Sequence, residues 1–229
     1  MESTRIIIAD DHPLVRSALR SVLAQTLSSV NIAEADTIAS MQKHLQDKSP
    51  DLIMLDLNMP GAHGFSALLY LRGRYPDIPV MVVSADENEV VIRKALGYGA
   101  AGFLSKSAPM AVIQQAACTI LEGGRWVPEG IDTNKPWHDD TSEHAKRIAT
   151  LTPQQFRVLG MIGEGMLNKQ IAYDLGVSEA TVKAHVTTIF KKLGVRSRTK
   201  AVIYLQQLQM EEHNQNTEPN GTDTPPILH

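Results

Sequence analysis

The chain has 229 residues, of which 43% are hydrophobic, and carries one cysteine and a formal net charge of −3. That length suits two domains of ordinary size, each with its own core. A single cysteine, Cys118, excludes an internal disulfide framework and fits a reducing, cytoplasmic setting. The absence of any apolar run of about 18 residues predicts no transmembrane helix, and the short run after Arg5 is wrongly flanked for a signal peptide.

The charge is unevenly spread. Residues 1–128 have a net charge of −2, whereas residues 150–210 have a net charge of +5. A small basic module between acidic segments points to a polyanion as its partner.

In chain order, Arg5-Ile6-Ile7-Ile8-Ala9-Asp10 is a short apolar run ending in acids, the pattern of a buried strand. Pro13 then opens a helix, with Leu14, Val15, Ala18, Leu19, Val22 and Leu23 at helical spacing. Val30–Ala35 reads as a weaker strand, and Ile38, Met41 and Leu45 as a helix. Leu52–Asp56 is a second buried strand, followed by a helix marked by Phe65, Leu68, Leu69 and Leu71. Pro79–Ser84 is a third strong strand. Helix Asn88–Gly97, strand Ala101–Ser105 and a helix from about Pro109 to Glu122 complete five strand–helix units. Apolar strands without alternation fit parallel strands covered on both faces. The expected fold is therefore α/β, an open doubly wound five-stranded parallel sheet over residues 1–127.

Polar residues 128–149 predict a linker. Residues 150–210 predict a small all-α domain. Thr152-Pro153-Gln154-Gln155 is a capping box with Pro at the first helical position. Asn168–Leu175 and Glu179–Leu193 follow as two helices joined by Gly176-Val177-Ser178. A fourth helix opens at Ser197 or Thr199. The polar, Pro-containing segment 211–229 reads as a disordered tail.

The strand ends carry the chemistry of the first domain. Asp10 and Asp11 end the first strand, Asp56 the third and Ser84 the fourth, and Lys106 follows the fifth. In a doubly wound sheet the carboxyl ends of the strands form one rim, where ligands bind. Carboxylates brought to ~4 Å repel by on the order of 4 kcal/mol per pair at an effective dielectric of ~20. Lys106 and a hard divalent cation with oxygen ligands would offset this, and Mg2+ suits a phosphate partner. Such a site lets a carboxylate attack a phosphoryl group and form an acyl phosphate.

These motifs, Asp10-Asp11-His12, Asp56-Leu57-Asn58-Met59-Pro60-Gly61, Ser84-Ala85 and Gly102-Phe103-Leu104-Ser105-Lys106, resemble the receiver domain of two-component response regulators. That domain has a flavodoxin-like fold. The resemblance implies that Asp56 is the phosphoacceptor for a sensor histidine kinase. It also implies that Asp11, Asp56 and the main-chain carbonyl of Asn58 hold Mg2+, with Asp10 assisting. Ser84 and Lys106 would stabilise the phosphoryl group, and Phe103 would be a switch aromatic that swings inward. His63, in the turn after Gly61, reads as a surface histidine.

In the basic domain, two helices joined by a Gly-containing turn fit a helix-turn-helix. Val182, Val186, Ile189, Phe190 and Leu193 form the expected buried stripe of the second helix. Lys183, Ala184, Thr187 and Thr188 lie off it and can enter a major groove, while Lys191, Lys192, Arg196 and Arg198 can meet phosphates. The segments Leu151–Gln155, Asn168–Ala172, Leu175–Ser178, Thr181–His185 and Lys191–Val195 resemble the LuxR-type helix-turn-helix of the NarL/FixJ branch of response regulators. The resemblance adds Lys169, Ser178 and Thr181 to the DNA-facing set. Ala201, Val202, Tyr204, Leu205 and Leu208 of the fourth helix are expected to supply a homodimer surface on double-stranded promoter DNA.

The expected function is thus a phosphorylation-controlled transcriptional regulator and not a turnover enzyme, with the unphosphorylated receiver covering the recognition helix. Two alternatives fit less well. An aspartate-nucleophile phosphatase needs a second acid where Asn58 stands, and a ligand-sensing LuxR-type regulator needs an aromatic-lined cavity from a chain with 5% aromatics.

Overall fold

The computed structural model describes residues 3–132 and 141–208. The expected tail and residues 133–140 of the expected linker lie outside them.

The first domain alternates β1 (Thr4–Ala9), α1 (Pro13–Thr26), β2 (Val30–Ala35), α2 (Ile38–Asp47), β3 (Leu52–Asp56), α3 (Ser66–Arg74), β4 (Val80–Ser84), α4 (Glu89–Gly97), β5 (Gly102–Ser105) and α5 (Met110–Leu121). The five strands pair in parallel in the order β2-β1-β3-β4-β5. This is the flavodoxin-like order of doubly wound sheets, with its switch point between β1 and β3. Leu52–Asp56 and Val80–Ser84 are buried throughout, as central strands covered on both faces must be. α1 differs from expectation at two positions. Leu14 is 85% exposed and Ala18 is exposed, so Leu19, Val22 and Leu23 alone carry its buried stripe.

After α5 the chain returns to the free edge of β5. Trp126 N donates to the Ala101 carbonyl at 3.0 Å, and Phe103 N donates to the Trp126 carbonyl at 3.1 Å. These bonds satisfy part of an otherwise open sheet edge. Farther on, Arg93 Nη2 donates to the Asp132 carbonyl at 3.1 Å, tying this segment to α4.

The second domain contains α7 (Pro153–Gly163), α8 (Asn168–Leu175), α9 (Glu179–Leu193) and α10 (Arg198–Gln207). The Thr152 capping box forms as expected, with Gln155 N donating to Thr152 Oγ1 and Thr152 N donating to Gln155 Oε1. Ser178 and Ser197 cap α9 and α10 by accepting from Thr181 N and Lys200 N. Gly176 and Gly194 end α8 and α9 at positive φ, 63° and 70°, where a side chain would be strained.

The expected linker is only partly extended, because Thr141–Ala149 forms helix α6. α6 lies along α3 of the first domain and also touches α9. The reason is visible in α3, where Ser66, Ala67, Leu68, Leu69, Tyr70 and Leu71 are all buried. A helix buried on every side over its first six residues needs a second partner besides its sheet. Ile148 of α6 is fully buried, and a Cβ added at Gly73 would fall on the Ala149 methyl, so glycine permits the close approach.

Candidate phosphoacceptor site and nucleic-acid interface

β1, β3 and β4 end side by side, which brings their terminal residues to one rim. Asp10, Asp56 and Ser84 are each 1% exposed. Lys106 follows β5 and reaches back, with Nζ 2.8 Å from Asp10 Oδ2 and 2.9 Å from Asp56 Oδ2. Asp56 Oδ1 is buried without a hydrogen-bond partner among the described residues. Burial raises the Asp56 carboxyl above its ordinary value, against the lowering effect of the Lys106 ammonium, while Asp10 adds to the rise. Burial also acts to lower Lys106, but the two carboxylates outweigh it, and its ammonium is held above its ordinary value. The lysine is thus a fixed positive charge between two buried acids.

Ligand atoms of Asp10, Asp11, His12 and Asp56 all lie within 4.8 Å of one another. Three carboxylates, one with an oxygen lacking a protein partner, fit a hard divalent cation. The His12 ring is drawn to the same acids, with Nδ1 2.6 Å from Asp11 Oδ1 and 3.1 Å from Asp10 Oδ1. Asn58 is exposed at the rim just beyond β3. Ser84 Oγ accepts from Asp86 N at 3.1 Å, which orients the hydroxyl at the end of β4. Phe103, on β5, is 1% exposed.

Sequence reasoning missed the contacts that join this site to the second domain. The loop that leaves Asp56 for α3 packs against α7 on its way. Gly61 N donates to Glu164 Oε1 at 3.0 Å, and His63 Nε2 lies 3.2 Å from the Gly160 carbonyl. His63 is therefore a half-buried domain contact and not a surface histidine. Gln42 Nε2 donates to the Pro153 carbonyl at 3.3 Å. Tyr70 stacks on Phe156 with ring centroids 4.4 Å apart and an interplanar angle of 13°. The unbroken run Ala67-Leu68-Leu69-Tyr70-Leu71 was the available signal for a second partner, but it did not say which helix.

On α9, Val182, Ile189 and Leu193 are buried, and Val186 and Phe190 half-buried. Lys183, Ala184, Thr187, Thr188 and Lys191 are exposed, as are Lys169, Ser178, Thr181 and Arg196. The receiver domain packs on α6 and α7 and leaves this face open, contrary to the expected covering of the recognition helix.

Two expected phosphate contacts point elsewhere. Lys192 Nζ donates to the Thr150 carbonyl at 2.6 Å and to Gln155 Oε1 at 2.8 Å. Arg198 Nη2 donates to the carbonyls of Ile162 and Met166. Both basic groups tie helices together. Arg147 Nη1 likewise donates to the Leu193 carbonyl at 2.9 Å, closing the C-terminal end of α9 from α6. The expected dimer stripe on α10 is mostly core. Ala201, Tyr204, Leu205 and Leu208 are buried in their own domain, which leaves half-buried Val202 and 40%-exposed Ile203 nearer the surface.

Residues 6–117 match the response regulator receiver domain, and residues 149–205 match the bacterial regulatory proteins of the luxR family. A glycerol metabolism activator from Pseudomonas putida is 40% identical over 206 residues, spanning 87% of this chain and 93% of its own. The nitrate/nitrite response regulator NarL of Escherichia coli strain K12 is 30% identical, over 90% of this chain and 96% of its own. Among solved structures, the RcsB response regulator of Salmonella typhimurium superposes with a TM-score of 0.54 at 25% identity, covering 90% of this chain and all of that one. With a receiver fold, an acidic rim and an open helix-turn-helix on one chain, the protein belongs to the response regulators of the LuxR-type branch, which control transcription through phosphorylation.

Proposed function

We propose that Asp56 accepts a phosphoryl group from the phosphohistidine of a sensor kinase, and that this modification sets the affinity of α9 for promoter DNA. The observation that carries the reading is the Lys106 ammonium bridging Asp10 and Asp56, with Asp56 Oδ1 left unpartnered beside it. In the transfer, an Asp56 oxygen forms a bond to phosphorus. The bond from phosphorus to the donor imidazole nitrogen breaks, and its electron pair leaves with the imidazole. Lys106 supplies positive charge to the oxygens of the group in flight, and Ser84 supplies a hydroxyl. Asp10, Asp11, Asp56 and the Asn58 carbonyl would hold Mg2+, which neutralises charge on the phosphoryl oxygens when bound. The chain would act as a switch and not as a turnover enzyme.

The route to the DNA-binding domain begins at residues 57–64. This loop leaves Asp56 and bears on α7 through Gly61 and His63. A phosphoryl group at Asp56 would shift that loop and loosen the α3–α6 and loop–α7 contacts. The released domain would then pair with a second copy through the surface around Val202 and Ile203. In such a dimer two α9 helices address half-sites ~10 bp apart. Lys169, Lys191 and Arg196, all exposed, would meet phosphates, and exposed Lys183 would meet a base edge.

Labelling of the full chain with acetyl phosphate tests the first step. Label is expected to require Mg2+ and to disappear in Asp56→Asn. Undiminished label in that variant would move the acceptor elsewhere.

A further inference from the structure

The exposed face of α9 shows a chemistry that the expected base contacts did not include. Ala180, Ala184, Thr187 and Lys191 follow one another at helical spacing, opposite buried Val182, Ile189 and Leu193, with Lys183 and Thr188 beside them. Both threonine hydroxyls are turned toward their own helix. Thr187 Oγ1 donates to the Lys183 carbonyl at 2.9 Å, and Thr188 Oγ1 donates to the Ala184 carbonyl at 3.0 Å. A threonine bonded back to the preceding turn presents its Cγ2 methyl away from that bond. Lys183 Nζ pairs with Glu179 Oε1 at 3.0 Å, which draws its ammonium toward the N-terminal turn. The middle of the face therefore offers the methyl groups of Ala184, Thr187 and Thr188, and the charged donors stand at its borders.

The four bases differ in what they show such a surface. Guanine is read by Arg or Lys, adenine by Asn or Gln and cytosine by Glu or Asp, whereas thymine alone offers a C5 methyl that suits Ala and the Thr methyl. No Asn, Gln or Arg lies on this part of α9. Small side chains also let the helix sit close to the groove floor, which such contacts need.

We propose that Ala184, Thr187 and Thr188 read thymine methyl groups, so that the centre of each half-site is specified by apolar contact. This inference rests on α9 lying in the major groove.

The test begins by selecting duplexes from random sequence with the full-length, acetyl-phosphate-treated protein. Each thymine of the selected site is then replaced by deoxyuracil, which removes only the C5 methyl, and affinities are measured at one salt concentration. At one or more half-site positions the replacement is expected to weaken binding about fourfold, the effect of burying one methyl-sized group. That penalty is expected to vanish in Thr187→Ser or Thr188→Ser, which lack the methyl, and to persist in the matching Val variants, which keep one. The inference is overturned if no thymine replacement weakens binding. It is also overturned if the penalty survives in both Ser variants and in Ala184→Gly. Failure to select any duplex would overturn the DNA-binding reading itself, and this inference with it.

Discussion

Asp56 gathers its significance from its neighbours. Burial holds its carboxyl above the ordinary value even with Lys106 at 2.9 Å. The folded chain therefore keeps the Asp56 proton to a higher pH than the unfolded chain does. The stability contributed by this group is complete below the ordinary carboxylate range and is lost as the pH rises through the raised value. Once ionised, the buried carboxylate carries an unfavourable charge, which a bound cation would relieve. Asp56→Asn, which removes the charge, is expected to raise the metal-free Tm at neutral pH by a few degrees, on the order of 1 kcal/mol. Mg2+ should stabilise the wild-type protein more at pH 7.5 than at pH 5, and the variant much less at either. Thermal melts at the two pH values check this, and equal Mg2+ effects at both would contradict it. Asp10, Asp56, Ser84 and Lys106 were legible in the sequence because the ends of parallel strands converge by topology. Lys192 and Arg198 were not, because helical spacing places a basic residue on a face without saying what its head group reaches.

At the scale of elements, α6 sits between α3 of the receiver and α9 of the DNA-binding domain. Its Arg147 holds the last carbonyl of α9, and its Ala149 occupies the space opened by Gly73. A position in the receiver is thus two contacts from the end of the recognition helix. Gly73→Val would overpack the α3–α6 contact, a change that destabilises by roughly 1–3 kcal/mol in well-packed settings. The variant is expected to show a larger radius of gyration in small-angle scattering and a higher DNA affinity without phosphate, with the receiver still accepting label. An unchanged radius would show that α3 and α6 do not hold the domains together. Polar composition suggested a linker here, and it obscured α6, in which Ile148 alone is buried among the residues whose side chains are described. The fold of each domain was readable from periodicity, since apolar spacing reports which face is covered. It does not report by what, so the docking of Tyr70 on Phe156 and of His63 on Gly160 could not be read from it.

For the whole molecule, the proposed control would run through docking. The DNA-facing side of α9 stands open while the receiver rests against α6 and α7, so the unphosphorylated chain is not blocked by a lid over its recognition residues. On the proposed reading, docking would restrain the freedom of one DNA-binding domain to pair with another. A phosphoryl group on Asp56 would act at the base of the loop whose Gly61 N donates to Glu164 Oε1. Isolated half-site binding should therefore respond little to phosphorylation, whereas binding to a duplex with two half-sites should respond strongly. The most direct measurement is the affinity of the full-length protein for a two-half-site duplex, with Mg2+, before and after acetyl phosphate, for wild type and Asp56→Asn at one salt concentration. Wild-type affinity is expected to rise at least about tenfold, a coupling of ~1.4 kcal/mol, and the variant is expected not to respond. An equal affinity for labelled and unlabelled wild type, or an equal rise in Asp56→Asn, would contradict control of DNA binding through Asp56.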